Sequence, residues 1–292
     1  MDGGMDSTLA THFAHLFIRD PIVIFNEDLT HLDLSKTDHF ENLQSTNWQH
    51  MRFKPPPAEA QNPHNIGWRV EFRPMEIQIT DFENAAFSVF IVLITRAILS
   101  FDLNFYIPIA RVTENMERAH ARDAVSEQKF WFRKNPHNPP SRAKSSTRLA
   151  RQADMSNPGT PLPSRPATPL PVEEEYTEMS VTEIMNGSST FPGLIPIVES
   201  YLDGLNIDVD TRCALAKYLD LIRKRADGRL WTAAKWIREF VKKHEAYKGD
   251  SEVNDEINHA LVEAVIGIGE GKVGEGMDIE KFLGTGWEEG GC

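Results

Sequence analysis

Arg69-Val70-Glu71-Phe72-Arg73-Pro74-Met75-Glu76-Ile77-Gln78-Ile79-Thr80 is the stretch on which the fold turns. Read as an extended strand, it puts Arg69, Glu71 and Arg73 on one face and Trp68, Val70 and Phe72 on the other. After Pro74 the phase flips, so that Met75, Ile77 and Ile79 become the apolar set. A one-residue shift at a proline predicts a β-bulge or bend, a feature over-represented beside active sites. Upstream, Gln49 to Lys54 alternates in the same way and predicts a partner strand. Pro55-Pro56-Pro57 stops it, because proline has no N–H to give a ladder. Downstream, Thr80-Asp81-Phe82-Glu83 has the capping-box pattern and opens a helix through about Ser100. Its apolar run, residues 85–95, is too short to cross about 30 Å of hydrocarbon and reads as a buried core helix. Strands followed by packed helices make this an α+β unit.

Working outward, residues 5–17 carry apolar side chains at helical spacing and stop before Asp20-Pro21. A helix this close to residue 1 reads as the opening of a fragment. Pro108 begins a charged helical stretch expected to reach about Phe132. Residues 1–134 thus form one α+β region. Residues 135–172 hold half of the chain's 18 prolines and almost no large apolar side chains. Such a segment cannot bury enough surface to offset its ordering entropy, so it reads as a disordered insertion. It is locally basic, and its Thr160-Pro161 and Thr168-Pro169 pairs have the form of phosphorylation sites. From 173 to 266 a helical region is expected. Its start signals are the capping box Ser180–Glu183 and the caps Asp210 and Thr232. Residues 267–292 read as a flexible, glycine-rich tail.

Composition narrows the function. The chain has 292 residues and a formal net charge of −12, which disfavours both nucleic acid and anionic membranes as partners. Its two cysteines, Cys213 and Cys292, offer neither a disulfide framework nor metal-ligand spacing. The N-terminus has no signal-peptide pattern, so the cytoplasm is the expected location.

Candidate sites follow by type. Gly269-Glu270-Gly271-Lys272-Val273-Gly274 matches a dinucleotide string but lacks the preceding strand that fingerprint requires. His12 and His15 are spaced for one metal, yet no third ligand is evident. The remaining chemistry lies on the two strands, where Arg52 and Lys54 face Arg69, Glu71 and Arg73. A carboxylate among such cations reads either as a cross-strand ion-pair ladder or as a site for phosphate and Mg²⁺.

Thr11–Pro21, Gln44–Gln49, Met51–Pro57 and Gly67–Glu76, together with Phe191–Pro196, Asp208–Cys213 and Trp236–Phe240, form ordered motifs. They resemble the C-terminal part of a eukaryotic, fungal-type glutamate–cysteine ligase catalytic chain, and the resemblance spans nearly everything but the insertion and tail. It implies an ATP- and Mg²⁺-dependent joining of L-glutamate, through its γ-carboxylate, to L-cysteine. The reaction passes through a γ-glutamyl phosphate and is the first step of glutathione synthesis. The implied fold is a partial glutamine-synthetase-like antiparallel sheet with packed helices, followed by a helical C-terminal region. By motif, Glu71 is implied as a metal ligand and catalytic residue, and Arg73 as a catalytic and ATP-phosphate contact. Arg52 and Lys54 are further phosphate candidates, and Trp48 and Arg19 are substrate candidates. The family's carboxylate-rich N-terminal half is missing from these residues, so the chain is expected to be inactive alone. The alternative is a non-catalytic fragment that associates with or regulates a full-length ligase. A modifier subunit is the other partner the resemblance leaves open.

Overall fold

A computed structural model describes residues 6–18, 23–31, 33, 35–36, 38–46, 51–57, 63–75, 78–137, 175–272 and 278–284. Arg19, Trp48, most of the 135–172 insertion with Thr160 and Thr168, and the last residues of the tail lie outside this set. Two compact units divide the chain, residues 1–77 and 78–292.

Among the described residues, the first unit holds the helices α1 (Ser7–Leu16), α2 (Asn26–Thr30) and α3 (Asp38–Ser45). Its strands are β1 (Met51–Lys54) and β2 (Arg69–Phe72). Asp6 starts α1 by accepting the amide hydrogens of Thr8 and Leu9, donors that a helix cannot satisfy internally. The rings of Phe13, Phe40 and Phe53 meet edge-on at 5.4 and 5.9 Å. Leu16 and Leu43 are buried beside them in sequence. The strands pair antiparallel, with Arg52 opposite Glu71 and Lys54 opposite Arg69. Both expected strands are therefore present. At the expected bulge or bend, β2 ends at Phe72 and Arg73 to Met75 leave the ladder; Glu76 and Ile77 lie outside the described residues. The change of phase at Pro74 marks the end of a strand.

The second unit is built on α4 (Asp81–Ser100). Thr80 and Glu83 form the capping box that the sequence predicts. One side of α4 is buried: Phe90, Ile94 and Ala97 pack with Ile195, Val198 and Leu202 of α8 (Leu194–Asp203). Leu219 and Ile222 of α9 (Val209–Ala226) complete that core. The opposite side is open, with Val92 58% and Leu99 76% exposed, so the expectation of a fully buried helix is corrected. By length and composition alone, α4 is long and apolar enough to cross a membrane, and no membrane is shown.

A second sheet lies where helix was expected. The helix from Pro108 stops early, as α5 (Ile109–Ala119) and the short α6 (Ala124–Glu127). Then β3 (Lys129–Arg133) pairs antiparallel with β4 (Tyr176–Ser180), Arg133 opposite Tyr176. Aromatic residues at 130–132 favour a pleated, half-buried surface, which accounts for the strand. Asn115 of α5 fixes it, donating to the Trp131 carbonyl (2.9 Å) and accepting its N–H (2.7 Å). The chain after 173 is thus not wholly helical. β4 leads directly into α7 (Val181–Asn186) through the predicted Ser180–Glu183 capping box. Among the described residues the architecture is mixed, mostly helical with two two-stranded antiparallel sheets, in keeping with the expected α+β class.

Asp208, not Asp210, caps α9. Thr232 caps α10 (Ala233–Lys243) as expected, and α11 (Asp255–Gly269) runs three residues past its predicted end. A last turn, α12 (Ile279–Phe282), sits where a flexible tail was expected. Its Ile279 and Phe282 are buried with Trp236, Ala264 and Ile268. Cys213 lies on α9, and Cys292 lies outside the described residues.

Candidate active site

The polar face of the first unit's strand pair gathers four charged side chains. β2 presents Glu71, and its antiparallel register sets Arg52 directly across and Lys54 diagonally across. Arg73, two residues on, bends back to the same carboxylate. Glu71 Oε1 accepts from Arg73 Nε at 2.5 Å, and Oε2 accepts from Lys54 Nζ at 2.5 Å and Arg52 Nε at 3.2 Å. Arg69 does not join them; it donates to the Pro55 carbonyl at 3.0 Å. The Arg-Glu-Arg face expected on one strand is therefore a cluster made across two.

Electrostatics follow from this geometry. The Lys54 ammonium, ahead of Arg73 and Arg52, holds the Glu71 carboxyl down at about 2 against the upward push of desolvation. Glu71 is ionised throughout the neutral range. Three cations against one carboxylate leave the cluster positive, and all four side chains keep 18–35% of their surface. A positive, half-open cluster with two guanidinium forks is suited to an anionic group such as a phosphoryl. Magnesium fits less well. Glu71 is the cluster's one carboxylate, and both its oxygens already accept from cations. Among the described residues, no group of three His, Cys, Asp or Glu is placed to hold a metal. An octahedral oxygen shell would need ligands from outside these residues.

At the end of α3, Ser45 also reaches the cluster and its neighbour Gln44 is tied to β1; reasoning from alternation and charge passed both over. Ser45 Oγ accepts from Arg52 Nη1 (2.6 Å), and the Ser45 carbonyl accepts from Arg73 Nη1 (3.0 Å). Gln44, 1% exposed, accepts the Phe53 N–H with its side-chain oxygen. Their one sequence signal is membership of the Gln44–Gln49 motif.

The other candidates stay apart from this chemistry. His12 packs edge-on against Phe53, and burial and His15 both lower its pKa, as for a packing histidine. The glycine string begins at the end of helix α11 with no strand before it.

With the geometry in place, comparisons with known proteins are specific. The glutamate–cysteine ligase family model matches residues 1–268. A glutamate–cysteine ligase of Neurospora crassa is 64% identical over 97% of this chain and 42% of its own length. The Homo sapiens glutamate–cysteine ligase catalytic subunit is 50% identical over 89% of this chain and 38% of its own. The Schizosaccharomyces pombe glutamate–cysteine ligase is 47% identical over 91% and 36%. The chain spans about two-fifths of the length of these relatives.

Proposed function

The chain belongs to the glutamate–cysteine ligase family, and from that we propose that its β1–β2 pair forms one wall of a ligase active site. The activity is the ATP-dependent joining of the L-glutamate γ-carboxylate to the amine of L-cysteine, giving γ-glutamylcysteine. The observation that carries this reading is Glu71 held among Arg52, Lys54 and Arg73. The guanidinium groups of Arg73 and Arg52 and the ammonium of Lys54 offer donors to a transferring phosphoryl group. Such donors act mainly by positioning and charge stabilisation. Glu71 orients those donors and supplies one carboxylate. A magnesium ion would supply further charge neutralisation at the phosphates, with most of its ligands drawn from the part of the family's length not represented here. Arg19 and Trp48 remain substrate candidates by motif alone. A partial glutamine-synthetase-like sheet is the fold proposed for the chain from the same resemblance.

A second reading has one observation in its favour. Val70 and Phe72 share a face of β2 and, with Trp68 just before the strand, are 57%, 48% and 61% exposed. An apolar sheet face of that kind suits association with further protein. It agrees with a fragment that pairs with a full-length ligase. The mammalian relatives are named catalytic subunits, which supports a modifier subunit as an additional partner.

The reaction is tested by isotope. In a chain of full family length carrying these residues, glutamate labelled with ¹⁸O in its γ-carboxylate is turned over with cysteine and ATP. An acyl phosphate route delivers one labelled oxygen to inorganic phosphate. Product formation with unlabelled phosphate would refute it.

A further inference from the structure

We propose that Ser45 is the positioning residue that sets the two arginines of the Glu71 cluster in place. The inference rests on the ligase reading and assigns Ser45 no contact with substrate. Ser45 is the last residue of α3, and its hydroxyl hydrogen is committed to the helix: Oγ donates to the Glu41 carbonyl one turn back, at 2.9 Å. With the proton fixed there, the oxygen's lone pairs are left to accept, and Arg52 Nη1 donates to it at 2.6 Å. The main-chain carbonyl of the same residue takes Arg73 Nη1 at 3.0 Å. One residue therefore receives one N–H from each arginine, while Nε and Nη2 of Arg52 and Nε of Arg73 reach Glu71. Without that anchor each side chain has only the carboxylate to hold it, and an arginine has many rotamers to lose.

The anchor is itself held rigid. The neighbouring Gln44 is buried and accepts the β1 amide of Phe53, so the end of α3 is tied to the strand that carries Arg52. Arg52 and Arg73 thus lie in a frame built from three elements, where sequence alternation shows only two. The hydroxyl acts on Arg52 and the carbonyl on Arg73, so a side-chain substitution separates the two effects.

The test uses a ligase of full family length carrying these residues. Ser45→Ala removes the acceptor for Arg52 and leaves the carbonyl for Arg73. A hydrogen bond to a charged group is at stake, so kcat/KM for ATP should fall about tenfold. Ser45→Thr keeps a hydroxyl that can bond one turn back and should restore the rate to within about threefold. In an Arg52→Ala background, Ser45→Ala should have no further effect, because the group it positions is gone. Wild-type rates for Ser45→Ala, no rescue by threonine, or losses that add in the double variant would each overturn the proposal. An Arg52→Ala enzyme with normal kinetics would also overturn it. Loss of activity in Glu71→Gln and Arg73→Ala, measured alongside, would still stand for the ligase reading.

Discussion

Glu83→Gln should destabilise the second unit more than any surface change, and its size can be worked from the structure. Glu83 has no exposed side-chain surface, and its partner Arg225 has 7%. One carboxylate oxygen accepts from Arg225 Nη2 at 2.5 Å; the other accepts both the N–H and the hydroxyl of Thr80, at 3.0 and 2.9 Å. Neutralising Glu83 removes a carboxylate that a buried guanidinium is paired with, which costs about 3–5 kcal/mol. Arg225 keeps the Gln78 side chain, the Phe282 carbonyl and the Phe282 ring, so the lower end, about 3 kcal/mol, is expected. Equilibrium urea unfolding of the single variants and of Glu83→Gln/Arg225→Met measures the pair. The double variant should cost at least about 1.5 kcal/mol less than the sum, with unchanged m-values. A single-variant cost under about 1 kcal/mol, or simple additivity, would refute the argument that this pair is desolvated and coupled.

Other outcomes follow from the same structure. Gly193 has φ of +88°, and a Cβ there would lie 2.5 Å from the Gly187 nitrogen. Gly193→Ala should therefore lower stability in urea by more than about 2 kcal/mol. Gly249, at φ +74° with open space around it, should lose only about 1 kcal/mol on the same change. Arg133, 1% exposed, pairs with Glu175 and donates to the carbonyls of Asn135 and Tyr106. Arg133→Met should cost about 3 kcal/mol and raise amide exchange at both 134–137 and 175–177, read by hydrogen-exchange mass spectrometry. The Glu71 carboxyl lies lower in the fold than its ordinary 4.5, at about 2. Its contribution to stability is therefore complete above pH 4.5 and lost as pH falls towards 2. Partial exposure screens that contribution to about 1 kcal/mol. Lys54→Met should move the Glu71 titration upward, seen by NMR of a ¹³C-labelled carboxylate, and an unmoved midpoint would deny Lys54 its leading role.

Local rules carried well where structure is local. Both capping boxes, at Thr80–Glu83 and Ser180–Glu183, lie within four residues and were legible as written. So were β1 and β2, whose alternation is strong and whose stop is a run of prolines. The β3–β4 pair was not, because Arg133 meets Tyr176 only across the long insertion, and a five-residue aromatic run is ambiguous between strand and helix. The short α12 was hidden by the glycines around it, although Ile279 and Phe282 supply core. At the site, charge and alternation picked out Glu71, Arg73, Arg52 and Lys54, together with Arg69, which lies outside the cluster. They could not tell a ladder from a cluster, and they missed Ser45, whose role depends on a carbonyl and a helix end. Glu83 shows the same limit: its cap is local, while Arg225 lies 142 residues away.

The central claim, that the Glu71 cluster serves ligation rather than folding alone, is tested most directly by turnover. In a chain of full family length carrying these residues, γ-glutamylcysteine formation is measured for Glu71→Gln, Arg73→Ala and the neighbouring Arg69→Ala. Loss of a preorganised charge partner predicts falls of about 10²–10³-fold for the first two, with melting temperatures little changed. Arg69, bonded to Pro55 outside the cluster, should keep a rate within about threefold of the parent. Near-normal turnover by both Glu71→Gln and Arg73→Ala would contradict the account and leave the cluster an ion-pair ladder.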